Sequence, residues 1–283
     1  VTRRAVIDVG TNTVKLLVAD LEYGCVMPIL HLDATTRLGE GASQTHRLTP
    51  VAIARTLEVV HHYLAEARRL GATEVLALTT SATRSATNAD DFLRACPLPV
   101  EVITGEREAE LIFRGAASDP SWAGERLLVM DVGGGSAEWI LGQSDHIEYV
   151  VSLPVGAVRL LEEFGNDFAG LAAHLRQTLA AELAPFRAGP WRMIGTGGAI
   201  VTLAQLAHRQ VDHACLTLDT IRQLVTDLNA LPLAERRRVP GLPLERADII
   251  VPGGAVFLFA MEALGAAELT VSVRALRYGA LLT

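Results

Sequence analysis

The stretch "VIDVGTNTVKLL", Val6 to Leu17, sets an aspartate, a glycine and three hydroxyl or amide side chains between two apolar runs. A strand interrupted in this way reads as strand, tight turn and returning strand, because glycine lets the backbone bend and short polar side chains favour turns. A second stretch, "LVMDVGGGSAEWIL", Leu128 to Leu141, repeats the pattern. Aligning Asp8 with Asp131 also aligns Gly10 with Gly133, Thr13 with Ser136 and Lys15 with Glu138, and it matches the apolar runs on both sides. The chain therefore contains an internal duplication. In each copy an aspartate closes the first strand. Glycine-turn N–H groups can converge on phosphate oxygens while the carboxylate holds a hydrated Mg²⁺. Two such hairpins facing each other would clamp a phosphate chain from both sides. One hairpin alone reads equally well as a turn with a structural Asp. Two copies in register, with a third glycine turn at "GTGG" (Gly195 to Gly198), favour the ligand site.

Outward from the two turns, strand-like and helix-like patterns alternate, which points to an α/β architecture. "TPVAIARTLEVVHHYLAEARRLG" has a Thr49 cap, Pro50 in the first turn, Ile53, Leu57, Val60 and Leu64 at helical spacing, and Gly71 as the stop. His61 and His62 within it read as solvated or packed, since no partner stands at useful spacing. "EVLALTT" and "VEVIT" read as short buried strands, each running into a helix. A long helix is expected from about Asp167 to Phe186, and a later one is expected to kink at Pro252-Gly253-Gly254. "SDPSWAGE" is turn-rich and precedes the second hairpin, so two domains are expected, residues 1–124 and 125–283. "ERRR", Glu235 to Arg238, reads as a solvated helix face.

Composition bounds the function. The chain has 283 residues, half of them hydrophobic, and a formal charge of −7. That acidity argues against a nucleic-acid or membrane-surface binder, so an anionic ligand must be held locally. Cys25, Cys96 and Cys215 lie far apart without metal-type spacing and read as thiols in a reducing compartment. No charged-then-apolar leader opens the sequence, and no apolar run reaches the roughly 18 residues a membrane span needs. A cytoplasmic protein is expected. Lys15 is the only lysine against 24 arginines.

Further blocks follow in order: "RLGEG" (Arg37 to Gly41), "TSATRSATN" (Thr80 to Asn88), "VITGEREAELIFRG" (Val102 to Gly115), "GTGGAI", "LERADII" (Leu244 to Ile250) and "SVRALRYG" (Ser272 to Gly279). With the two hairpins, they make the chain resemble the exopolyphosphatase/guanosine pentaphosphate phosphatase (Ppx/GppA) family, within the superfamily of actin, sugar kinases and heat-shock chaperones. The resemblance implies two ribonuclease-H-like α/β domains with a cleft between them. It implies Mg²⁺-dependent release of terminal phosphate from inorganic polyphosphate or guanosine pentaphosphate.

Residue by residue, the resemblance places the general base on Glu108. Helical geometry alone leaves Glu106 and Glu108 both open, on opposite shoulders of an apolar stripe, with Glu110 outward and able to pair with Arg114. The resemblance further implies that Asp131 and Glu138 hold Mg²⁺ or the lytic water, with Asp8 as an additional metal-side carboxylate. Thr11, Asn12, Thr13, Gly133, Gly134, Gly135, Ser136, Gly197 and Gly198 would bind phosphate oxygens. Arg84 and Arg277 fall on arginines suited to a polyanion, and Lys15 could add a point charge. The chain departs from the family at Arg107, where an acid is common, and at Ala275 and Tyr278, where glycine and glutamate are. It ends after the last block, as a short two-domain form would, and a homodimer is left open. Two other classes stay in view: a nucleotide-using kinase or ATPase, and a binding-only sensor of polyphosphate or alarmone.

Overall fold

The hairpin read from Val6 to Leu17 is present, and its strands extend beyond the quoted stretch. In the computed structural model, which describes residues 1–208 and 210–283, β1 (Thr2–Val9) pairs antiparallel with β2 (Thr13–Glu22), and β2 with β3 (Cys25–Thr35). Then come α1 (Ala42–Thr45), α2 (Pro50–Arg69), β4 (Glu74–Thr79), α3 (Ser81–Ser85), α4 (Ala89–Ala95), β5 (Glu101–Val102) and α5 (Gly105–Ala117). β1 pairs parallel with β4, and β4 with β5, giving the order β3-β2-β1-β4-β5.

The duplication is visible in the second sheet. β6 (Arg126–Val132), β7 (Ala137–Gln143) and β8 (His146–Leu153) form the antiparallel half. After α6 (Ala157–Phe164) and α7 (Phe168–Glu182), β9 (Arg192–Thr196) joins β6 in parallel. Next are α8 (Gly198–Ala207), β10 (Cys215–Thr217), α9 (Leu218–Ala230), α10 (Leu233–Arg236) and α11 (Ile250–Leu264). β11 (Glu268–Val271) joins β9 in parallel, and α12 (Leu276–Leu281) ends the chain. Read from β8, the order β8-β7-β6-β9-β11 repeats the first sheet, with β10 added antiparallel at the edge. This repeated three-antiparallel, two-parallel arrangement is the ribonuclease-H-like pattern expected.

Strand alternation decides the core of the first sheet. Ala5, Ile7 and Val9 of β1 and Val14, Leu16 and Val18 of β2 cluster with Val60, Tyr63 and Leu64 of α2. Val6 and Leu17 point to the other face and are also fully buried, so both faces of this sheet are covered. Helix α2 begins as read: the Thr49 hydroxyl accepts from Ala52 N–H at 3.2 Å, Pro50 occupies the first turn, and Gly71 follows with a left-handed φ of 81°.

Four expectations need correction. The compact units are Val1–Ser118 with Arg274–Thr283, and Asp119–Val273, rather than 1–124 and 125–283. The last ten residues return to the first unit because α12 packs on α5 and β1. The "VEVIT" strand is reduced to Glu101 and Val102, both exposed. Helix α11 runs unbroken through Pro252, which sits in its first turn, where the missing N–H would have had no helical partner. Gly253 and Gly254 there admit close helix packing: a Cβ would stand 2.8 Å from Ala199 Cβ and 2.8 Å from Val225 Cγ2. Finally, Arg236 of "ERRR" is no solvated charge, since its guanidinium donates to the carbonyls of Leu228, Leu231 and Ala247 at 2.8–3.1 Å. Arg237 and Arg238 are exposed as read. The long helix ends at Glu182, and a 3₁₀ turn over Ala184–Arg187 completes the segment.

Candidate active site

The two hairpins share one turn. Gly10 N–H donates to Thr13 O at 3.1 Å, and Gly133 N–H donates to Ser136 O at 3.0 Å. Strand register places Lys15 opposite Asp8, and Glu138 opposite Asp131, as the alignment of the two copies requires.

In the second unit, the carbonyls of the glycine turn are all engaged. Gly133 O accepts from Ala157 N–H at 2.9 Å, Gly134 O from Val158 and Arg159 N–H at 2.9 and 3.1 Å, and Gly135 O from Arg159 Nε at 3.0 Å. In a trans peptide the N–H points opposite to the C=O. The N–H groups of Gly134, Gly135 and Ser136 are therefore aimed away from the α6 groups that hold the carbonyls. The first unit uses the same device with different partners. Thr11 O accepts from Gly39 N–H at 2.9 Å, and Asn12 O accepts from Thr36 and Arg37 N–H at 3.0 and 2.9 Å. That is the physical role of the "RLGEG" block. Thr11, Asn12, Thr13 and Ser136 are all buried, and Asn12 Oδ1 is a buried acceptor without a hydrogen-bond partner.

The carboxylates of the second unit are held individually. Thr196 Oγ1 donates to Asp131 Oδ2 at 2.6 Å, and Ser152 Oγ donates to Glu138 Oε1 at 2.9 Å. Glu138 is 1% exposed. The "GTGG" turn lies against Asp131: Gly197 has φ 92°, and a Cβ there would stand 3.0 Å from Asp131 Oδ1 and 2.8 Å from Val132 O. Only glycine meets both conditions. Gly198 opens α8, and the Arg246 guanidinium lies against it, its Cζ 2.7 Å from where a Cβ would be.

Helix α5 gives the two glutamates of the first unit different surroundings. Its cap is Thr104, whose hydroxyl accepts from Arg107 N–H at 3.2 Å. Glu106 is exposed, and its own backbone N–H, then the Thr104 hydroxyl, hold its carboxyl below the usual range. It is spent on the helix terminus. Glu110 is spent on Arg107 at 2.7 Å and Arg114 at 3.4 Å. Glu108 is 8% exposed and meets Arg84 Nη1 at 3.1 Å. Arg84 Nη1 also donates to Ile103 O at 2.9 Å.

Arg277 and Lys15 sit over the first hairpin. Arg277 Nη1 donates to Leu16 O at 2.9 Å, and burial lowers its pKa against the opposing pull of Asp8, Tyr278, Asp33 and Tyr63. Lys15 lies in register between Asp8 of β1 and Asp33 of β3. Arg277 thus feels the carboxylates of Asp8 and Asp33, which the sequence did not signal. Arg246, Arg159, Thr196 and Ser152 were also missed as individual residues, although Arg246 lies inside the quoted "LERADII" block and Thr196 inside "GTGG".

Residues 17–283 match the model of the Ppx/GppA phosphatase family. The chain is 32% identical over 300 residues to Exopolyphosphatase 1 of Mycobacterium tuberculosis, covering 99% of this chain and 87% of that protein. Its structure is similar to that of the Aquifex aeolicus PPX-GPPA enzyme, with a TM-score of 0.83, 32% identity and 99% of each chain covered. It is also similar to an exopolyphosphatase from Cytophaga hutchinsonii, with a TM-score of 0.89, 28% identity, and 99% and 96% of the two chains covered.

Proposed function

Since this chain belongs to the Ppx/GppA phosphatase family, we propose that it releases terminal phosphate from inorganic polyphosphate by Mg²⁺-dependent hydrolysis, with Glu108 as general base. The observation that carries this reading is the placement of Glu108. It is buried and ion-paired with the Arg84 guanidinium, whereas Glu106 is exposed at the helix terminus and Glu110 pairs with Arg107 and Arg114. Relatives named as exopolyphosphatases support polyphosphate as the substrate.

Hydrolysis needs a water aimed at the terminal phosphorus, a base for its proton, and positive charge for the transferring phosphoryl group. Water oxygen forms the new P–O bond, the bridging P–O bond breaks, and the shortened chain leaves with the electron pair. Glu108 accepts the water proton. In the second unit the N–H groups of Gly134, Gly135 and Ser136, with Gly197 and Gly198, bind phosphate oxygens; in the first unit Thr11 to Thr13 are the residues suited to that role. Both Arg84 hydrogen bonds use Nη1. Nε and Nη2 remain to fork onto phosphate, since a guanidinium carries five donors.

The residues fit Mg²⁺. Asp131 and Glu138 stand side by side in register, each with one oxygen fixed by a hydroxyl, and hard oxygen donors suit this ion. The orphaned Asn12 Oδ1 suits a donor such as an ion-bound water better than a phosphate oxygen, which only accepts. Asp131 and Glu138 would hold Mg²⁺, which when bound neutralises charge on the phosphoryl oxygens.

The test is phosphate release from long polyphosphate, short polyphosphate, guanosine pentaphosphate and ATP, with and without Mg²⁺. Release from polyphosphate should require Mg²⁺, and Glu108→Gln should lower turnover by roughly 10²–10⁴-fold with binding retained. Near-normal turnover in that variant would remove Glu108 from the role. Preference for guanosine pentaphosphate would move the substrate, and preference for ATP would move the chain to a nucleotide-using class.

A further inference from the structure

We propose that Asp119, Asp212 and His213 form a binding site for a divalent transition ion of the Zn²⁺ class in the second unit. None of the three belongs to the hairpin or glycine turn described above.

The donors come from chain segments more than 90 positions apart and converge closely: one ligand atom from each lies within 4.8 Å of the others. His213 Nε2 is 2.8 Å from Asp119 Oδ2. Each donor is held from outside the cluster. Asp119, only 3% exposed, accepts Ser121 N–H on Oδ1 at 2.9 Å. Asp212 accepts Val273 N–H on Oδ1 at 3.1 Å. The His213 ring meets Trp122 edge-on, with centroids 5.1 Å apart, and the backbone on either side of it is stitched to Val271: His213 N–H donates to Val271 O, and Val271 N–H to Ala214 O, each at 2.8 Å. Groups that fix ligands from behind in this way are what set ligand orientation in metal sites.

The ordinary alternative is a His–Asp clasp and nothing more. Geometry and charge favour the ion. Four-coordinate Zn²⁺ with bonds of about 2.0–2.2 Å sets its donors about 3.4 Å apart. The His213–Asp119 pair would need to open by about 0.6 Å and the farthest separation to close by at most about 1.4 Å, within reach of side-chain rotation. A divalent ion matches the charge of two carboxylates without requiring a protonated imidazole. Imidazole beside carboxylates selects Zn²⁺, Co²⁺ or Ni²⁺ over Mg²⁺, which prefers oxygen donors and keeps its water. Asp119 is the first residue of the second unit, and Val273, bonded to Asp212, is its last. A bound ion would therefore tie the entry and the exit of that unit together and stabilise it.

The experiment uses the full chain, stripped by chelation and dialysed, then titrated with Zn²⁺ by calorimetry in millimolar Mg²⁺ so that hydrolytic carboxylates are saturated. Metal content is counted after desalting, and thermal midpoints are read with and without Zn²⁺. One retained Zn²⁺ per chain and a raised midpoint are expected. Asp212→Asn and His213→Asn should each weaken affinity at least about tenfold and abolish the rise in midpoint. Asn suits position 213 because it tolerates the left-handed backbone found there, φ 63°. Zn²⁺ uptake equal in wild type and both variants, or absent in wild type, overturns the site. If His213→Asn does not fold, Asp212→Asn, at a partly exposed position, decides alone.

Discussion

The 2.6 Å bond from Thr196 to Asp131 makes a sharp demand on one residue. If Asp131 is a Mg²⁺ carboxylate, Asp131→Asn should raise the Mg²⁺ concentration needed for half activity and lower the maximal rate as well. Thr196→Val should reproduce the first effect, about 10–100-fold, by releasing the carboxylate from its fixed orientation. An unchanged Mg²⁺ titration in both would make Asp131 structural. A second demand concerns Cys96. Burial disfavours its thiolate and pushes the thiol up to about 11. At pH 8 iodoacetamide should therefore label the exposed Cys25 well before Cys96, and the Cys96 rate should climb as pH rises toward about 11. Equal labelling at pH 8 would place Cys96 in water. At this scale the sequence was legible where a residue type is scarce or its spacing strict. Asp8, Asp131 and the glycines stood out because two copies agree. It was less legible where a role depends on who is adjacent in space: Glu106 and Glu108 are equivalent on a helical wheel and separate only once Thr104 and Arg84 are placed.

Elements were legible in proportion to their periodicity and caps. Helix α2 has both and matches from Thr49 to Gly71. Helix α11 misleads because Pro-Gly-Gly signals a break wherever the helix start is unknown. Ile249 turns out to be the cap, so the proline falls in the first turn, and the glycines are explained by neighbours on α8 and α9 that no local reading can supply. Strand β5 was overread because its pairing stops after Glu101 and Val102 and Thr104 already caps α5, so few residues are left for a strand. The contact between α5 and α12 is likewise non-local. A Cβ on Gly279 would stand 2.7 Å from Leu111 C, and one on Gly115 would stand 2.7 Å from Ala275 C, so the helices approach backbone to backbone. Gly279→Ala should cost about 1–3 kcal/mol, the usual penalty of overpacking. The melting midpoint should fall by several degrees. Because α5 carries Glu108, turnover should fall further than stability alone predicts at a temperature where the variant is folded. A variant with wild-type midpoint and turnover would show that α12 can yield without disturbing α5.

For the whole molecule, the duplication and the α/β class were legible, because two hairpins in register are long-range information written twice. The unit boundary was not, since the return of Arg274–Thr283 to the first unit leaves no local mark in composition. No helix among the described residues is long and apolar enough to cross a membrane. What remains is how a chain of net charge −7 binds a polyanion. If binding rests on aimed N–H groups, Mg²⁺ and a few fixed guanidinium groups, affinity should depend on those residues far more than on total charge. Measured with polyphosphate in the Glu108→Gln background, where the ligand survives, Arg84→Ala should weaken binding by about 1.5–3 kcal/mol, the worth of a charge-assisted contact. Changing Arg237 and Arg238 together to Ala should do much less, because both are exposed and their fields are screened over about 8–10 Å at ordinary salt. Arg236 must be left in place, since its three carbonyl bonds make its loss a folding defect. Chain length separates the two pictures further. A contact near the terminal phosphates gives the same loss for short and long chains, whereas a surface track gives losses that grow with length. A double variant that loses more than Arg84→Ala, and mainly on long chains at low salt, would make the exposed arginines the path of the polymer.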